Sequence, residues 1–411
     1  MTFKIVTLGC KVNSYESSII EDRLLTAGYR KDEDDPDYIF LNTCAVTANA
    51  EKQDRQVLRS LIKKYPESKF VVIGCSAQVN KDDYLKYKEV IIVKGNDKKC
   101  RIDNLDSKIR DQVNLSSRSF IYDEERSSLP TYKSKAYLKI QDGCDNFCSY
   151  CIVPIARGKS RSRDKDSILK ELQEYISSGI KEIIIGGIDV SSYGNNSYTL
   201  TDLIKKMTSF KGDYRIRISS IEISRIDENY VSLFKDNPHL AYHFHIPLQS
   251  GSNKILKLMN RKYTREEFIS KVNMIKNILP GIALSTDVIT GFPGENEEDF
   301  NDTFSLLKDL SFMKIHAFPY SERKYTKAIT LSDSVDKQIR KKRVKILDEL
   351  SKENQKKYYL SSKDNLDILI EKVEGNKVYG YSSNNLYVCA ESDNAEVGTI
   401  INVSPSYHIY K

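Results

Sequence analysis

The sequence predicts an α/β protein with three parts: an N-terminal doubly wound parallel sheet, a central partial (β/α)6 barrel and a small C-terminal all-β barrel. Three observations predict it. Short apolar runs alternate with helical periodicity at the N-terminal end, the alternation restarts from Ala136 after a polar stretch, and the tail from Leu366 carries only short Tyr, Val and Ile runs. At 411 residues the chain exceeds the usual size of one hydrophobic core, so two or three domains are expected.

In the first part, strands are expected at 3–8, 38–41, 70–73 and 90–93, with helices at 14–27, 48–64 and 81–86 and Gly28 stopping the first. The stretch 101–135 is polar, rich in Ser, Asp and Lys, and reads as a linker. From there the barrel strands fall at 137–141, 182–185, 215–219, 242–246, 283–289 and 313–318. Helical patterns at 167–178, 200–207, 228–234, 265–279 and 298–310 fill the gaps between them. A basic helix over 337–358 leads into the tail, whose runs suit a small β-barrel. The expected boundaries are 1–115, a linker at 116–134, 135–355 and 356–411.

Apolar residues make up 40% and charged residues 29%, too hydrophobic a balance for a disordered chain. No stretch reaches membrane-spanning length, and residues 1–10 lack the charged start and apolar run of a signal peptide, so a cytoplasmic protein is expected. The eight cysteines are then reduced thiols available to metal or catalysis rather than a disulfide framework. A formal charge of +7 does not by itself identify a nucleic-acid partner. Two basic clusters, Arg157, Lys159, Arg161 and Arg163, and Arg340 to Arg343, read singly as solvated faces.

Cys144, Cys148 and Cys151 form a Cys-x3-Cys-x2-Cys set just past the first barrel strand. Three thiolates so close can wrap a four-iron cluster and leave one iron open. That iron can chelate the amino and carboxylate groups of S-adenosylmethionine, and one electron then cleaves the sulfonium to a carbon radical. Structural zinc wants four ligands, and a fourth is missing nearby. Cys10, Cys44 and Cys75 are far apart in sequence, yet each follows an apolar strand. In a doubly wound sheet those strand ends share one edge, so three thiols meet there and suit a second cluster. Cys100 and Cys389 stand outside both patterns.

At these residues the chain resembles the radical S-adenosylmethionine methylthiotransferases along nearly its whole length. The resemblance rests on TLGCKVNSY at 7–15, NTCAVT at 42–47, GCDNFCSYC at 143–151 and ARGKSRSR at 156–163. HIPLQSGS at 245–252, MNRKYT at 259–264 and GFPGE at 291–295 add to it. Residues 186–192, GGIDVSS, lack the Thr and His of the family pattern, and Ile223 stands where the pattern has Pro.

The resemblance implies two four-iron clusters, one on each cysteine triad, and S-adenosylmethionine. It implies a tail barrel of the RNA-binding TRAM kind, with that barrel and the basic segments holding RNA phosphates. LGCKVN looks most like the branch acting on threonylcarbamoyladenosine at position 37 of tRNA, rather than on isopentenyladenosine or a ribosomal-protein aspartate. One S-adenosylmethionine would methylate a sulfur at the first triad and a second would be cleaved at the other. The methylthio group would then reach C2 of an adenine splayed from the anticodon loop.

The same resemblance sets Tyr150 against the cofactor's adenine, Gly186 and Gly187 at its amino group, and Gln249, Ser250 and Asp287 at its ribose or carboxylate. Phe292 to Glu295 would form a turn shaping the adenine pocket, with Glu295 also suited to cap the next helix. His243 and His245 alternate on a strand and share a face, more in keeping with hydrogen-bonded barrel histidines than metal ligands. An electron donor such as flavodoxin or ferredoxin, a monomeric state and no membrane partner complete the expectation. The rival from another class is a non-catalytic RNA-binding protein with structural zinc.

Overall fold

The computed structural model describes residues 1–101, 105, 109–114, 120, 122, 134–195, 197–362, 366–393 and 395–409. They form two compact units. One comprises Met1–Pro130, Gln141–Arg163 and Ser321–Ile329, and the other Thr131–Ile140, Asp164–Tyr320 and Thr330–Lys411.

The first unit begins with β1 (Thr2–Thr7), α1 (Lys11–Thr26), β2 (Arg30–Lys31), β3 (Tyr38–Thr43) and α2 (Ala48–Lys64). It continues with β4 (Lys69–Gly74), α3 (Cys75–Val79), α4 (Asp82–Leu85), β5 (Val90–Lys94) and β6 (Asp111–Gln112). The strands pair in the order β2-β1-β3-β4-β5-β6, every pair parallel. All six residues of β3 are buried, the mark of a central parallel strand covered on both faces. Ile39, Leu41, Phe70 and Val72 pack with Leu58 of α2 and Tyr84. The order turns at β1, whose neighbours β2 and β3 are reached in opposite directions. The crevice beyond the carboxyl ends of β1 and β3 is therefore the topological switch point, where such sheets bind ligands.

Helix α1 starts at Lys11, ahead of the expected residue 14, because Gly9 at φ +92 turns the chain directly off β1 and leaves Cys10 as N-cap. Gly74, at φ +100, does the same after β4: a Cβ there would lie 2.7 Å from the Thr43 carbonyl. The chain enters α3 with Cys75 as its first residue, a helix the sequence does not signal. Within the stretch read as linker, β6 adds an edge strand to the sheet. The expected linker at 116–134 lies outside the described residues except for Phe120, Tyr122 and Ser134.

The chain then gives β7 (Lys135–Lys139) to the second unit and returns to the first for β8 (Gln141–Asp142), α5 (Val153–Arg157) and β9 (Arg161–Ser162). In the second unit, α6 (Lys165–Ser177) leads to β10 (Glu182–Gly186), and a hairpin of β11 (Gly194–Asn195) and β12 (Tyr198–Thr199) precedes α7 (Leu200–Met207) and β13 (Arg215–Ile218). Next come α8 (Glu228–Ser232), β14 (His243–His245), α9 (Asn253–Leu258), α10 (Arg265–Ile278), β15 (Ala283–Thr290), α11 (Glu297–Leu310) and β16 (Lys314–Pro319). Capping boxes at Thr199, Thr264 and Asn296 fix the starts of α7, α10 and α11.

Strands β7, β10 and β13 form one parallel sheet and β14, β15 and β16 another. Ile216 N–H donates to His239 O at 2.7 Å and Ala241 N–H to Ile216 O at 2.8 Å, which joins the two sheets in chain order into the six-stranded arc predicted.

Helix α12 (Lys337–Ser362) precedes β17 (Leu366–Glu374), β18 (Lys377–Ser382), β19 (Tyr387–Glu391), β20 (Ile400–Val403) and β21 (Tyr407–His408). These strands form an antiparallel sheet ordered β20-β17-β18-β19-β21 where the small all-β element is expected. In α12, Arg340 and Arg343 do not line a solvated or phosphate-binding face. They are buried, with Arg340 Nη1 donating to Tyr320 O at 2.9 Å and Arg343 Nη1 to Glu295 Oε1 at 2.5 Å, while Lys341 and Lys342 keep the outer face. Helical spacing turns residues three apart, the first and last of this basic run, to the inner face, and the guanidiniums bring their hydrogen bonds with them.

Two buried arginines of β13 tie the C-terminal sheet to the barrel. Arg215 donates to Asp367 O and Tyr381 O, both at 3.1 Å, and Arg217 to Ser382 O at 3.0 Å and Ser383 O at 3.2 Å. Glu182 on β10 accepts from both guanidiniums, from Arg215 Nε at 2.7 Å and Arg217 Nη2 at 3.1 Å. Burial pushes the Glu182 carboxyl up, but the two arginines outweigh it and hold it at about 2. Replacing Glu182→Gln leaves two guanidiniums buried without their counter-charge, and we expect denaturant unfolding to show a loss of about 3–5 kcal/mol. Because the folded carboxyl sits below its ordinary 4.5, its contribution is complete above about pH 4.5 and disappears as pH falls from there toward 2. The Gln variant should therefore lose less stability than the parent across that window.

Candidate functional site

Both cysteine triads belong to the first unit. Cys10, Cys44 and Cys75 follow β1, β3 and β4, neighbours in the sheet, so the three thiols gather along one edge as the strand pattern predicts. Cys10 is exposed, whereas Cys44 and Cys75 are buried. Gly9 makes room for them: a Cβ at this position would stand 2.5 Å from Cys44 Cβ and 2.6 Å from its Sγ. Asn13 bolts the ends of β1 and β3 together, its Nδ2 donating to Leu8 O and Thr43 O, each at 2.9 Å.

Burial pushes the Cys44 thiol up to about 12, with the neighbouring Cys75 and Cys10 adding to it. A thiol held that high ionises only against strong positive charge such as metal supplies, so the site suits a ligand thiol and not a free nucleophile. Asn96 Nδ2 lies 3.5 Å from Cys75 Sγ, a donor aimed at sulfur of the kind that tunes iron–sulfur clusters.

The second triad rides on the loop between β8 and α5. Gly143, at φ +70, lets the loop close on residues 158–159, where a Cβ would strike the Gly158 and Lys159 carbonyls. Cys144 N–H donates to Gly158 O at 3.1 Å and Cys151 N–H to Cys148 O at 3.0 Å, and Asn146 N–H points at Cys144 Sγ from 3.5 Å. All three thiols are half-buried. Among the described residues no three His, Cys, Asp or Glu side chains converge round one point as ligands of a single ion do. Each triad offers three reduced thiols, the soft donors that iron–sulfur clusters take.

A buried polar network joins the two triad-bearing segments. Arg157, which ends α5 and is 1% exposed, donates from Nη1 to Glu16 Oε1 at 2.7 Å and Asp142 Oδ1 at 3.1 Å. Its Nη2 reaches Asn13 Oδ1 at 2.8 Å and Glu16 Oε2 at 3.0 Å. Lys99 pairs with Glu16, and Arg161 with Asp142 at 2.6 Å. Arg163, also buried, donates to the Tyr15 hydroxyl at 3.1 Å. Beside the network, Ala45 and Cys75 pack against Ile152 and Ala156, while Asn96 Nδ2 donates to Ala156 O at 2.7 Å.

This corrects the reading of the ARGKSRSR arginines as a solvated or phosphate-binding face. Arg157 and Arg163 are internal because α1 offers them acceptors. The sequence carried a signal for this in the spacing of Asn13 and Glu16, polar residues one turn apart on the otherwise apolar face of α1. Asn96 and Lys99 had no comparable signal. Cys100 is buried and its thiol lies 3.7 Å from the Glu16 carbonyl, and Cys389 is buried on β19.

Of the residues expected at the cofactor, Tyr150 is half-buried in the triad loop and the others lie in the second unit. Gly186 ends β10, and a Cβ there would collide with the Tyr137 ring and hydroxyl, so a neighbouring side chain already requires this glycine. Gly187 follows it, half-buried. Gln249, at φ +66, exchanges backbone bonds with β15: its N–H donates to Asp287 O at 2.8 Å and its carbonyl accepts from Ile289 N–H at 3.0 Å. Gln249 and Asp287 are thus neighbours. Ser250 is buried, its hydroxyl 3.4 Å from Thr303 Oγ1 on α11, a packing role rather than an open one.

His243 and His245 do share a face, each with a ring nitrogen 2.8 Å from Ser285 Oγ, and His245 Nε2 lies 3.1 Å from Asp287 Oδ2. Burial pushes the nearby His316 down to about 4. Glu295 does not cap α11, whose N-cap is Asn296. It closes its own turn by accepting from Gly291 N–H at 2.8 Å.

Comparison with known proteins identifies the family. Residues 138–307 match the model of the Radical SAM superfamily, and residues 2–95 that of "Uncharacterized protein family UPF0004". The chain is 37% identical to the threonylcarbamoyladenosine tRNA methylthiotransferase MtaB of Bacillus subtilis (strain 168), across 97% of this chain and 92% of that protein. It is 33% identical to the tRNA-2-methylthio-N(6)-dimethylallyladenosine synthase of Alkaliphilus oremlandii (strain OhILAs), across 98% and 89%. Among solved structures, the radical S-adenosylmethionine methyltransferase TsrM from Kitasatospora setae is similar in fold, with a TM-score of 0.58 at 14% identity over 80% of this chain and 76% of that one.

Arg157→Met should cost about 3–5 kcal/mol in denaturant unfolding of the full chain, because buried Glu16 and Asp142 lose the guanidinium they share and are left to Lys99 and Arg161. Arg157→Lys should recover little of that, since a single ammonium cannot reproduce the forked contacts to Glu16, Asn13 and Asp142.

Proposed function

Because the chain belongs to the radical S-adenosylmethionine methylthiotransferases, we propose that it inserts a methylthio group at C2 of N6-threonylcarbamoyladenosine at position 37 of tRNA. The observation that carries this reading is the placing of two thiol triads in one compact unit, their segments joined by the buried Arg157–Glu16–Asp142 network. Sulfur insertion at an unactivated aromatic C–H needs a radical, and it needs sulfur held where that radical can be met. Two clusters with S-adenosylmethionine supply the cleaving electron and the carried sulfur. The chain's own part is to offer six thiols, to keep their segments in register, and to place an N–H near one sulfur of each triad.

The substrate assignment leans on the relatives named for threonylcarbamoyladenosine, 35–38% identical to this chain, against 33–36% for those named for dimethylallyladenosine. No described helix is long and apolar enough to cross a membrane. Action in the cytoplasm, as a monomer reduced by flavodoxin or ferredoxin, fits a tRNA substrate. Gly186, Gly187, Gln249 and Asp287 of the second unit, and Tyr150 of the triad loop, are the residues we assign to S-adenosylmethionine. Ser250, buried against Thr303, is left to packing.

Nucleoside mass spectrometry of tRNA from a deletion strain and from its complemented parent tests the reading. The 2-methylthio derivative of threonylcarbamoyladenosine should vanish and return. Loss of the isopentenyl counterpart instead would transfer the assignment to that nucleoside. In the anaerobically reconstituted protein, Cys148→Ala should abolish 5′-deoxyadenosine formation. Cys44→Ala should retain that formation while ending methylthio transfer, and each variant should hold about half the parent's iron.

A further inference from the structure

Residues 321–329 of the first unit form a strap whose two ends attach to the two triad regions. At one end, Ser321 Oγ accepts from Ala48 N–H at 3.1 Å, and the buried Arg323 pairs with Glu51, both in the first turn of α2 just beyond Cys44. At the other, Ala328 N–H donates to Ser149 O at 2.7 Å, between Cys148 and Cys151. In the middle stands Tyr325. Its backbone is left-handed, φ +69, a conformation that favours glycine and costs a bulky residue energy, and its side chain is 67% exposed.

A tyrosine that packs against little and strains its own backbone contributes nothing to the fold that glycine would not do better. Its exposed ring faces outward. The flanking Lys324 and Lys327 are exposed, against one exposed acid, Glu322, while the cation of Arg323 is turned inward. An open aromatic face beside the exposed Lys324 ammonium has the chemistry of a single-stranded nucleic-acid contact: bases stack on the ring and phosphates meet the lysine.

We propose that Tyr325 is a stacking platform for an unpaired base of the RNA loop next to the nucleotide being modified, with Lys324 on an adjoining phosphate. The proposal rests on tRNA being the substrate and adds the surface that holds its loop. Drawing the target base out of its stack exposes the faces of its neighbours, and Tyr325 replaces the stacking one of them loses.

The test uses the full, iron-loaded chain and a tRNA that the parent protein methylthiolates. Tyr325→Gly relieves the left-handed strain, so its unfolding midpoint, iron content and tRNA-free 5′-deoxyadenosine formation should match the parent. Its Kd for tRNA should rise about 5- to 100-fold. Tyr325→Phe should bind as the parent does, and Lys324→Ala should reduce the dependence of log Kd on log salt by about one phosphate contact. Parental tRNA affinity in Tyr325→Gly overturns the proposal. So does a defect seen only when flavodoxin supplies the electron and absent with a chemical reductant, which would make the strap a docking surface for the reducing protein. A parent protein that neither binds nor modifies tRNA fails the functional reading itself, a result separable from either of these.

Discussion

The guanidinium of Arg157 is enclosed by Glu16, Asp142 and Asn13, with Lys99 closing the far side of Glu16. Burying so many charges costs desolvation that their mutual attraction only about repays, so a packed apolar junction could hold the fold as well. What an apolar junction lacks is direction. A forked guanidinium meeting two carboxylates and an amide admits one register, whereas aliphatic surfaces slide and repack at small cost. The segments so fixed carry Cys10 at one side and Cys144 to Cys151 at the other, and chemistry that passes a sulfur between two centres depends on their register more than on net stability.

That register inherits its coordinates from the parallel sheet. Successive parallel strands end on one edge: β3 and β4 each end immediately before a cysteine, and β1 three residues before one. The glycines at 9 and 74 then turn the backbone within a single residue, so that no loop intervenes to loosen the thiols. Asn13 links the edge to the network: its amide nitrogen holds the β1 and β3 ends while its oxygen receives Arg157. One side chain thereby couples the sheet edge to α5, and through α5 to the second triad loop. The buried contact of Ala45 and Cys75 with Ile152 and Ala156 excludes water from the same joint, which strengthens the hydrogen bonds beside it.

Much of this was legible in the sequence, for a physical reason. Strand and helix periodicities are local, so the parallel sheet, the six barrel strands and the starts of α7, α10 and α11 could be read from residues a few positions apart. The six cysteines were legible because strand ends and close spacing place them. Glycine turns and charge burial were harder. Whether Arg157 faces water or Glu16 depends on a partner far away in sequence, and a basic run such as 340–343 looks the same whether its first and last members are solvated or enclosed. The helix α3 was missed because five residues give no periodicity, and the crowding of Gly186 by the Tyr137 ring comes from a neighbouring strand far away in sequence. The unusual backbone of Tyr325 has no sequence signal at all, since left-handed tyrosine is too uncommon to expect.

The way charge is distributed limits how RNA can be held. Arg157, Arg163, Arg215, Arg217, Arg323, Arg340 and Arg343 are all buried, whereas Lys99 and Lys139 are the buried lysines among the described residues. Those seven forked cations are committed to the interior, while Arg30, Arg59, Arg101, Arg110 and Arg225 stay exposed, so the outward positive charge is shared but rests chiefly on lysine. An ammonium on a flexible stem meets a phosphate as a point charge and does not read base edges in the bidentate manner of arginine. Lysines can therefore bring any RNA backbone to the surface without choosing among sequences. Discrimination has to come from elsewhere: from the shape of a loop able to present a splayed base, and from fixed aromatic faces against which its neighbours stack. A rigid joint between the two triads then has a second consequence, because it also fixes the distance over which that loop must open.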